Sequence, residues 1–320
     1  MHVVLWERFR AVFYTPFYAA LALGVFEKEG LTIDFGAVPP GADVCGALRD
    51  AKADVAWGGP MRLMQDADQR PPDQPRGQHV VGFCEVVTRD PFFLVGRTPR
   101  NFHLRDLADL TLVSVSEVPT PWLCLQEDLR RVGIDPASIR RIANLSMPHA
   151  VAALADGRAD VIQTFQPIVE ELVAGGRGSV WYAAADRGLT SYTTFFATRR
   201  WLTENPAAAR AMVHGMFVAQ QWIHSRDSEA IATLVAPYFE GVDRAILTAA
   251  IDRYLKLGIW GATPAMAEEG FDRQAAGLVS GGFIKRKPAF DDCMDMTFAE
   301  DVVRRFAGDG GLETALPNGG

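Results

Sequence analysis

Glu85 is the only charged residue in the run Val80-Val81-Gly82-Phe83-Cys84-Glu85-Val86-Val87. A carboxylate in such a strand is costly unless it is paired or faces water. Two readings stand: an ion pair with Arg10 or Arg62, or a cleft carboxylate that accepts hydrogen bonds from the amino group or ring N–H of a ligand. Tyr14, Phe17 and Trp57 could stack a planar ligand in such a cleft, and each fits a hydrophobic core equally well. Gly58-Gly59 follows Trp57, where absent side chains let backbone N–H groups approach a ligand closely. Gly41, within Pro40-Gly41-Ala42-Asp43, offers amides at a helix start or a plain turn. In the second half, Ser116, Thr120, Trp122, Gln166 and Tyr192 are the polar or aromatic groups at comparable loop positions, and His149 follows Met147-Pro148 at another helix start.

Little in the chain is spaced for catalysis. Gly-x-Ser-x-Gly, the phosphate-binding P-loop, Gly-x-Gly-x-x-Gly and His-Glu-x-x-His are absent. The histidines, at positions 2, 79, 103, 149, 214 and 224, have no metal-ligand spacing, and His214 and His224 read as helix surface or packing residues. Cys45, Cys84, Cys124 and Cys293 stand far apart without a Cys-x-x-Cys pair, so they read as free buried thiols. No catalytic set, metal or cofactor is expected. With 32 Lys+Arg against 39 Asp+Glu, the chain does not suit neutralising a phosphate backbone, which argues against a nucleic-acid partner. The uncharged stretch Ala11 to Phe26 is short of the roughly 18 apolar residues of a membrane span, so no membrane insertion is expected. Arg8 and Arg10 precede that stretch as in an export signal, yet Phe26 to Gly30 offers no small-x-small cleavage site. As written the chain reads as cytoplasmic; if a leader was removed, it reads as periplasmic.

The elements that must position these groups alternate between strand and helix. His2 to Trp6 predicts a strand, and a helix follows with Pro16 in its first turn, an apolar stripe over Tyr18, Leu21, Ala22 and Val25, and Gly24 inside it. Leu31 to Val38 predicts a second strand. Asp66 to His79, with three prolines, reads as an exposed loop. Further strands are expected at Leu110 to Val115 and Tyr192 to Ala197, with a helix from Leu123 to Val132 stopped by Gly133. Beyond Trp201 the chain reads as helical, capped at Thr203 or Asn205, and the tail Gly308 to Gly320 as disordered. One pattern occurs twice: residues 47–55 and 153–161 both read Ala-Leu-x-Asp-x-x-Ala-Asp-Val, and each is followed by a short apolar strand and a proline-bearing loop. An offset of 106 residues is too long for a solenoid, so the repeat implies two similar α/β lobes.

The order Tyr14-Thr15-Pro16-Phe17-Tyr18-Ala19-Ala20, Gly24-Val25-Phe26, Glu29-Gly30-Leu31, Ala53-Asp54-Val55-Ala56 and Gly58-Gly59-Pro60 resembles the opening of type II solute-binding proteins. The match is to the branch that holds nitrate, sulfonate, taurine and thiamine-pyrimidine binders together with the Thi5-like synthases. Leu104-Arg105-Asp106-Leu107, Gly133-Ile134-Asp135, Ala159-Asp160-Val161 and Thr203-Glu204-Asn205-Pro206 keep the family's order. The resemblance implies an α/β, bilobal periplasmic-binding-protein type II fold with two crossing strands, near residues 88–98 and 190–198. Lobe one is expected at 1–95 and 197–310, lobe two at 96–196, and a disordered tail at 311–320. It further implies reversible binding of a small solute, with closure of the lobes, as the recognition component of an ABC importer docking on a permease. Combined with a cleft-facing Glu85, the solute expected is polar or heteroaromatic and nitrogen-bearing, like a thiamine precursor. A cytoplasmic enzyme on the same fold, a pyrimidine synthase or decarboxylase-like protein acting on a small ring compound, is the alternative. Against the synthase, the Thi5-like cysteine motif is missing, and the family's cofactor lysine and a histidine fall near Gly58 and Arg62.

Overall fold

The computed structural model describes residues 1–39 and 41–306, so the expected disordered tail lies outside the described residues. Among the described residues ten strands form, most of them where β-branched and aromatic residues run between turn formers. They are β1 (His2–Glu7), β2 (Thr32–Ala37), β3 (Val55–Gly58), β4 (Val80–Val87), β5 (Phe93–Gly96), β6 (Thr111–Val113), β7 (Arg140–Ile142), β8 (Val161–Thr164), β9 (Ser179–Ala183) and β10 (Thr193–Thr198). They make two sheets, ordered β2-β1-β3-β10-β4 and β7-β6-β8-β5-β9. In the first, β2, β1 and β3 are parallel and β10 is antiparallel to both its neighbours; in the second, β7, β6 and β8 are parallel and β5 is antiparallel to both of its own. The two sheets therefore share one topology. The fold is the bilobal α/β arrangement that the sequence implies.

The repeated motif serves the same purpose in each lobe. Asp54 precedes β3; its N–H donates to the Val4 carbonyl at 3.0 Å and its carboxylate accepts the Val4 N–H at 2.8 Å. Asp160 precedes β8 and makes the same pair with Thr111, at 3.0 and 2.8 Å. Each aspartate thus pins the third parallel strand to the first, which explains why Ala-Asp-Val recurs. Sequence-adjacent β4 and β5 lie in different sheets, as do β9 and β10, so the chain crosses twice, over 88–92 and 184–192. By pairing, Phe93 to Val95 belong to the second sheet and Thr193 to Phe196 to the first, a few residues inside the limits drawn from sequence.

Helices cover both sheets, and several expectations need correction. The first helix is Thr15–Ala22; Gly24, at φ +61°, breaks it before a separate turn, Val25–Lys28, because a left-handed backbone cannot continue a right-handed helix. Asp66 to Gln69 are not loop but the end of the Met61–Gln69 helix, with the prolines confined beyond it. Thr198, rather than Thr203, caps the Arg199–Glu204 helix through its hydroxyl, and the Asn205 side chain donates back to Trp201 instead of capping. Among the described residues no helix is long and apolar enough to cross a membrane.

The crossings are braced by a buried triad. Arg187, on the second crossing, donates through Nη1 to Asp90 on the first at 2.8 Å and through Nε to both oxygens of Asp128, on the Thr120–Arg131 helix, at 2.8 and 2.9 Å. The Arg244–Leu257 helix adds a second brace: Tyr254 donates to the Pro91 carbonyl at 3.0 Å and accepts the Gln166 N–H, while Arg253 pairs with Glu170. The Glu268–Ser280 helix packs on the Thr120–Arg131 helix at Gly277, where a Cβ would meet the Cys124 backbone at 3.4 Å.

Candidate functional site

Parallel strands in an open α/β sheet deliver loops and helix starts at their C-terminal ends, and ligands bind there. In this chain those ends face one another. Beyond β1 come Arg8 and Phe9, at the end of β3 Gly58-Gly59, beyond β6 Glu117 to Thr120, and beyond β8 Phe165. Together with Phe92 and Tyr192 from the crossings they bound two adjoining hollows, a narrower and a wider, both open to solvent. Arg8, Phe9, Phe92 and Val118 wall both.

The floor is aromatic and drawn from both lobes. Phe92 lies 5.2 Å from Phe165 and 5.8 Å from Tyr192, ring centre to ring centre, and Phe13 lies 6.1 Å from Phe92 and 6.0 Å from Tyr192. Tyr14 meets Phe13 edge-on at 4.5 Å. Such tilted contacts are the favoured geometry between ring quadrupoles. Burial pushes the phenols of Tyr14 and Tyr192 up, so both stay neutral donors at physiological pH. The Tyr192 hydroxyl is buried without a protein partner.

The charge on the walls is cationic. Arg8 and Arg62 both line the narrower hollow, and among the described residues neither has a carboxylate within ion-pair distance. Burial first, then the Arg8 guanidinium, holds Arg62 below the ordinary arginine range; it nevertheless remains charged. Thr120 opens the Thr120–Arg131 helix and Met61 the Met61–Gln69 helix, and both line the same hollow, so two positive helix ends add to the arginines. Among the described residues the one carboxylate on the walls is Glu117, in the wider hollow, and it is taken up locally. Its oxygens accept the Met147 N–H at 3.0 Å and the Ser116 N–H at 3.2 Å. Among the described wall residues, positive charge thus outweighs negative.

Of the residues singled out from sequence, Tyr14, Gly58, Gly59, Thr120 and Tyr192 line the narrower hollow and Gly41 the wider. A Cβ on Gly59 would come within 3.4 Å of the Tyr192 carbonyl, so glycine there keeps strand end and crossing together. The others lie elsewhere. Phe17 and Trp57 are core: their rings stack at 4.6 Å, and Phe35 covers the other side of Trp57 at 5.2 Å. Trp122 sits in a small second-lobe core under the Arg141 guanidinium, 4.3 Å from its ring centre. Gln166 is fully buried and donates to Glu170 at 2.9 Å. His149 is exposed, its Nδ1 2.8 Å from the Ser146 hydroxyl at the start of the Met147–Ala155 helix. Ser116, at the rim, donates to the Leu145 carbonyl at 2.9 Å.

Glu85 requires the largest correction. It is 3% exposed, does not line either hollow, pairs with neither Arg10 nor Arg62, and one carboxyl oxygen has no partner. Arg10 instead holds Glu7, at 2.6 Å. Burial pushes the Glu85 carboxyl up to about 8, with the Ser191 hydroxyl opposing only in part. Sequence reasoning missed Arg8, Phe9, Arg62, Phe92 and Phe165 as site residues. The available signal was positional: four of the five stand within a few residues of a strand end at a lobe junction.

The pattern of the NMT1-like family matches residues 9–236. YtlA of Bacillus subtilis (strain 168), named as a candidate binding protein, is 24% identical over 296 residues, covering 92% of this chain and 87% of its own. Among solved structures, the periplasmic sulfonate-binding protein SsuA of Methylobacillus flagellatus KT, named with a sulfonate ABC transporter, has a TM-score of 0.77 at 13% identity, covering 97% of this chain and 96% of its own. The desulfurization enzyme DSZB has a TM-score of 0.69 at 15% identity, covering 95% and 99%. At these identities the structural likeness establishes the fold.

Proposed function

The chain belongs to the NMT1-like family, and on that footing we propose that it binds a small organic anion reversibly between two lobes, 1–92 with 193–306 and 93–192, as the recognition component of an ABC importer. The observation that carries the anion is the pair of cleft arginines, Arg8 and Arg62, without a carboxylate partner among the described residues. Two guanidiniums facing a partly buried hollow repel one another, and an anion placed between them relieves that repulsion while accepting charge-assisted hydrogen bonds. The described residues lining the hollows include no cysteine, histidine or lysine, which favours binding over covalent chemistry. A nitrogen-bearing solute held by a carboxylate has no counterpart on these walls, because Glu85 lies behind them. The importer role is supported by the relatives named as binding proteins and by the likeness to a structure named with an ABC transporter.

Calorimetry tests the reading with paired ligands of one shape, a sulfonate or carboxylate against its neutral sulfone or amide. The anions should bind and the neutral partners should not. Arg62→Gln should weaken anion binding by about 30-fold or more, the ordinary effect of losing one partner of a buried charged hydrogen bond. Equal affinity for the neutral partner, or an unchanged constant in Arg62→Gln and Arg8→Gln, would refute the assignment. A permease and an ATPase encoded beside the gene would support transport.

A further inference from the structure

We propose that the chain carries a second site, outside the cleft, that takes a small tetrahedral oxyanion, sulfate or phosphate. Its wall is the polar stripe of the Met61–Gln69 helix. Arg62, Gln65, Asp66 and Gln69 fall within about 100° of one another around that helix, turned away from Leu63 and Met64, which are buried. A stripe of this kind usually faces open water. This one faces Asp43 and the short Val44–Arg49 helix across a hollow of about 240 Å³, which Arg70 and Pro71 close at one end. That is room for about eight waters, at about 30 Å³ each.

The charges in this outer hollow do not cancel. Arg49 donates to Asp66 at 2.7 Å and lies 3.9 Å from Asp43, and Arg70 lies 3.7 Å from the second Asp66 oxygen, so two guanidiniums already serve the two carboxylates. The Asp43 oxygens also accept the Cys45 and Gly46 N–H groups, at 3.1 and 3.0 Å. Arg62 is the third guanidinium in the hollow, half-buried and without a carboxylate partner among the described residues. What remains on the helix face is a set of donors, the Arg62 guanidinium with the side-chain amides of Gln65 and Gln69, while the acceptors are largely engaged. A metal cation would need the reverse. No aromatic ring lines the hollow, and its apolar lining is confined to Val44, Cys45 and Pro71, so an organic body gains little there. A compact ion with oxygens on every side can accept from the guanidinium and both amides at once. Arg62 also lines the narrower cleft hollow, so the two places meet at one side chain, and experiment must separate them.

Isothermal titration with sodium sulfate and with sodium phosphate, against sodium chloride at matched ionic strength, distinguishes a site from general screening. Sulfate or phosphate should saturate one site below about 10 mM, and chloride should not; which of the two binds tighter identifies the ion. Arg62→Gln should weaken that binding by at least about 10-fold, the effect of losing a charged hydrogen bond. Gln65→Ala combined with Gln69→Ala keeps a strong helix former on the exposed face and should weaken it by at least about 3-fold. Arg8→Gln, which touches only the cleft hollows, should leave it within about 2-fold. Thermal melts of each variant establish that it is folded. No saturable binding, or an equal response to chloride, would overturn the inference. So would binding that is lost in Arg8→Gln and kept in the double glutamine variant, since that ion would lie in the cleft. Failure of organic anions to bind the cleft would leave these outcomes untouched.

Discussion

Replacing Glu85 by glutamine should stabilise the protein at alkaline pH and leave it unchanged at acid pH. The Glu85 carboxyl titrates at about 8 in the folded chain against an ordinary 4.5, because burial disfavours its charged form. Below 4.5 folded and unfolded chains both carry the proton, and the residue exacts no penalty. Between 4.5 and about 8 the unfolded chain has lost the proton and the folded chain keeps it, so wild-type stability falls as pH rises through this window and levels off above it. At about 1.4 kcal/mol per pH unit the full window corresponds to about 5 kcal/mol, and relaxation around the site brings the expected effect to about 2 to 5 kcal/mol. Glutamine has nearly the same shape and cannot ionise. Urea denaturation followed by tryptophan fluorescence from pH 4 to pH 9 should therefore give coincident stabilities at pH 4 and a gap that opens in favour of Glu85→Gln by pH 9. Parallel curves, or a less stable variant at pH 9, would show that the ionised carboxylate has a partner in the fold and would refute the reasoning. Solute affinity should stay within about 2-fold, since the side chain lies behind the cleft walls.

Arg187→Ala should destabilise the protein by about 3 to 5 kcal/mol in chemical denaturation, because it strands Asp90 and Asp128 as uncompensated buried charges. Combining it with Asp90→Asn and Asp128→Asn should recover part of that loss. The four cysteines are free and buried, and burial pushes the thiols of Cys45, Cys124 and Cys293 up to about 12. A chromogenic disulfide reagent at pH 8 should thus react slowly with native protein and quickly with four equivalents after unfolding; rapid native labelling would show that one of these sites opens readily.

Backbone-level features were legible because they are local. Most strands announce themselves by β-branched runs, though β7, Arg-Arg-Ile, and β9 do not, and the doubled Ala-Asp-Val motif exposes the two lobes because each aspartate must bond the neighbouring strand. Gly24 was misread since periodicity alone does not reveal a positive φ. The site was harder for a different reason. Trp57 and Phe17 are as aromatic as Phe92 and Phe165, and only their place, on a buried strand and helix or on a crossing and a strand end beside the cleft, separates core from cleft. Glu85 drew attention as a charge in an apolar strand, yet that same setting keeps it protonated and inert toward ligand. Arg8 and Arg62 carry no spacing signature, because they come from segments that meet only when β1 and β3 align.

The Arg187 triad also fixes where the molecule can bend. Asp90 and Arg187 lie on different crossings, and both are bound to the second lobe through Asp128, so any turning of that lobe takes these stretches of chain with it. The Arg253–Glu170 pair and the helix contact at Gly277 tie the lobes elsewhere, while within the crossings torsion is left to the short links between the triad and the first sheet, residues 88–89 and 188–192. There the Thr190 and Tyr192 N–H groups donate to Thr88 and Val87 at 2.8 Å, and Gly188 adopts φ +96° and ψ −164°, a combination open essentially to glycine. The lever is therefore long and its pivot short. Tyr192 stands on that pivot with its ring in the cleft floor, so the conformation held at Gly188 sets the floor of the cleft as well as the path of the crossing.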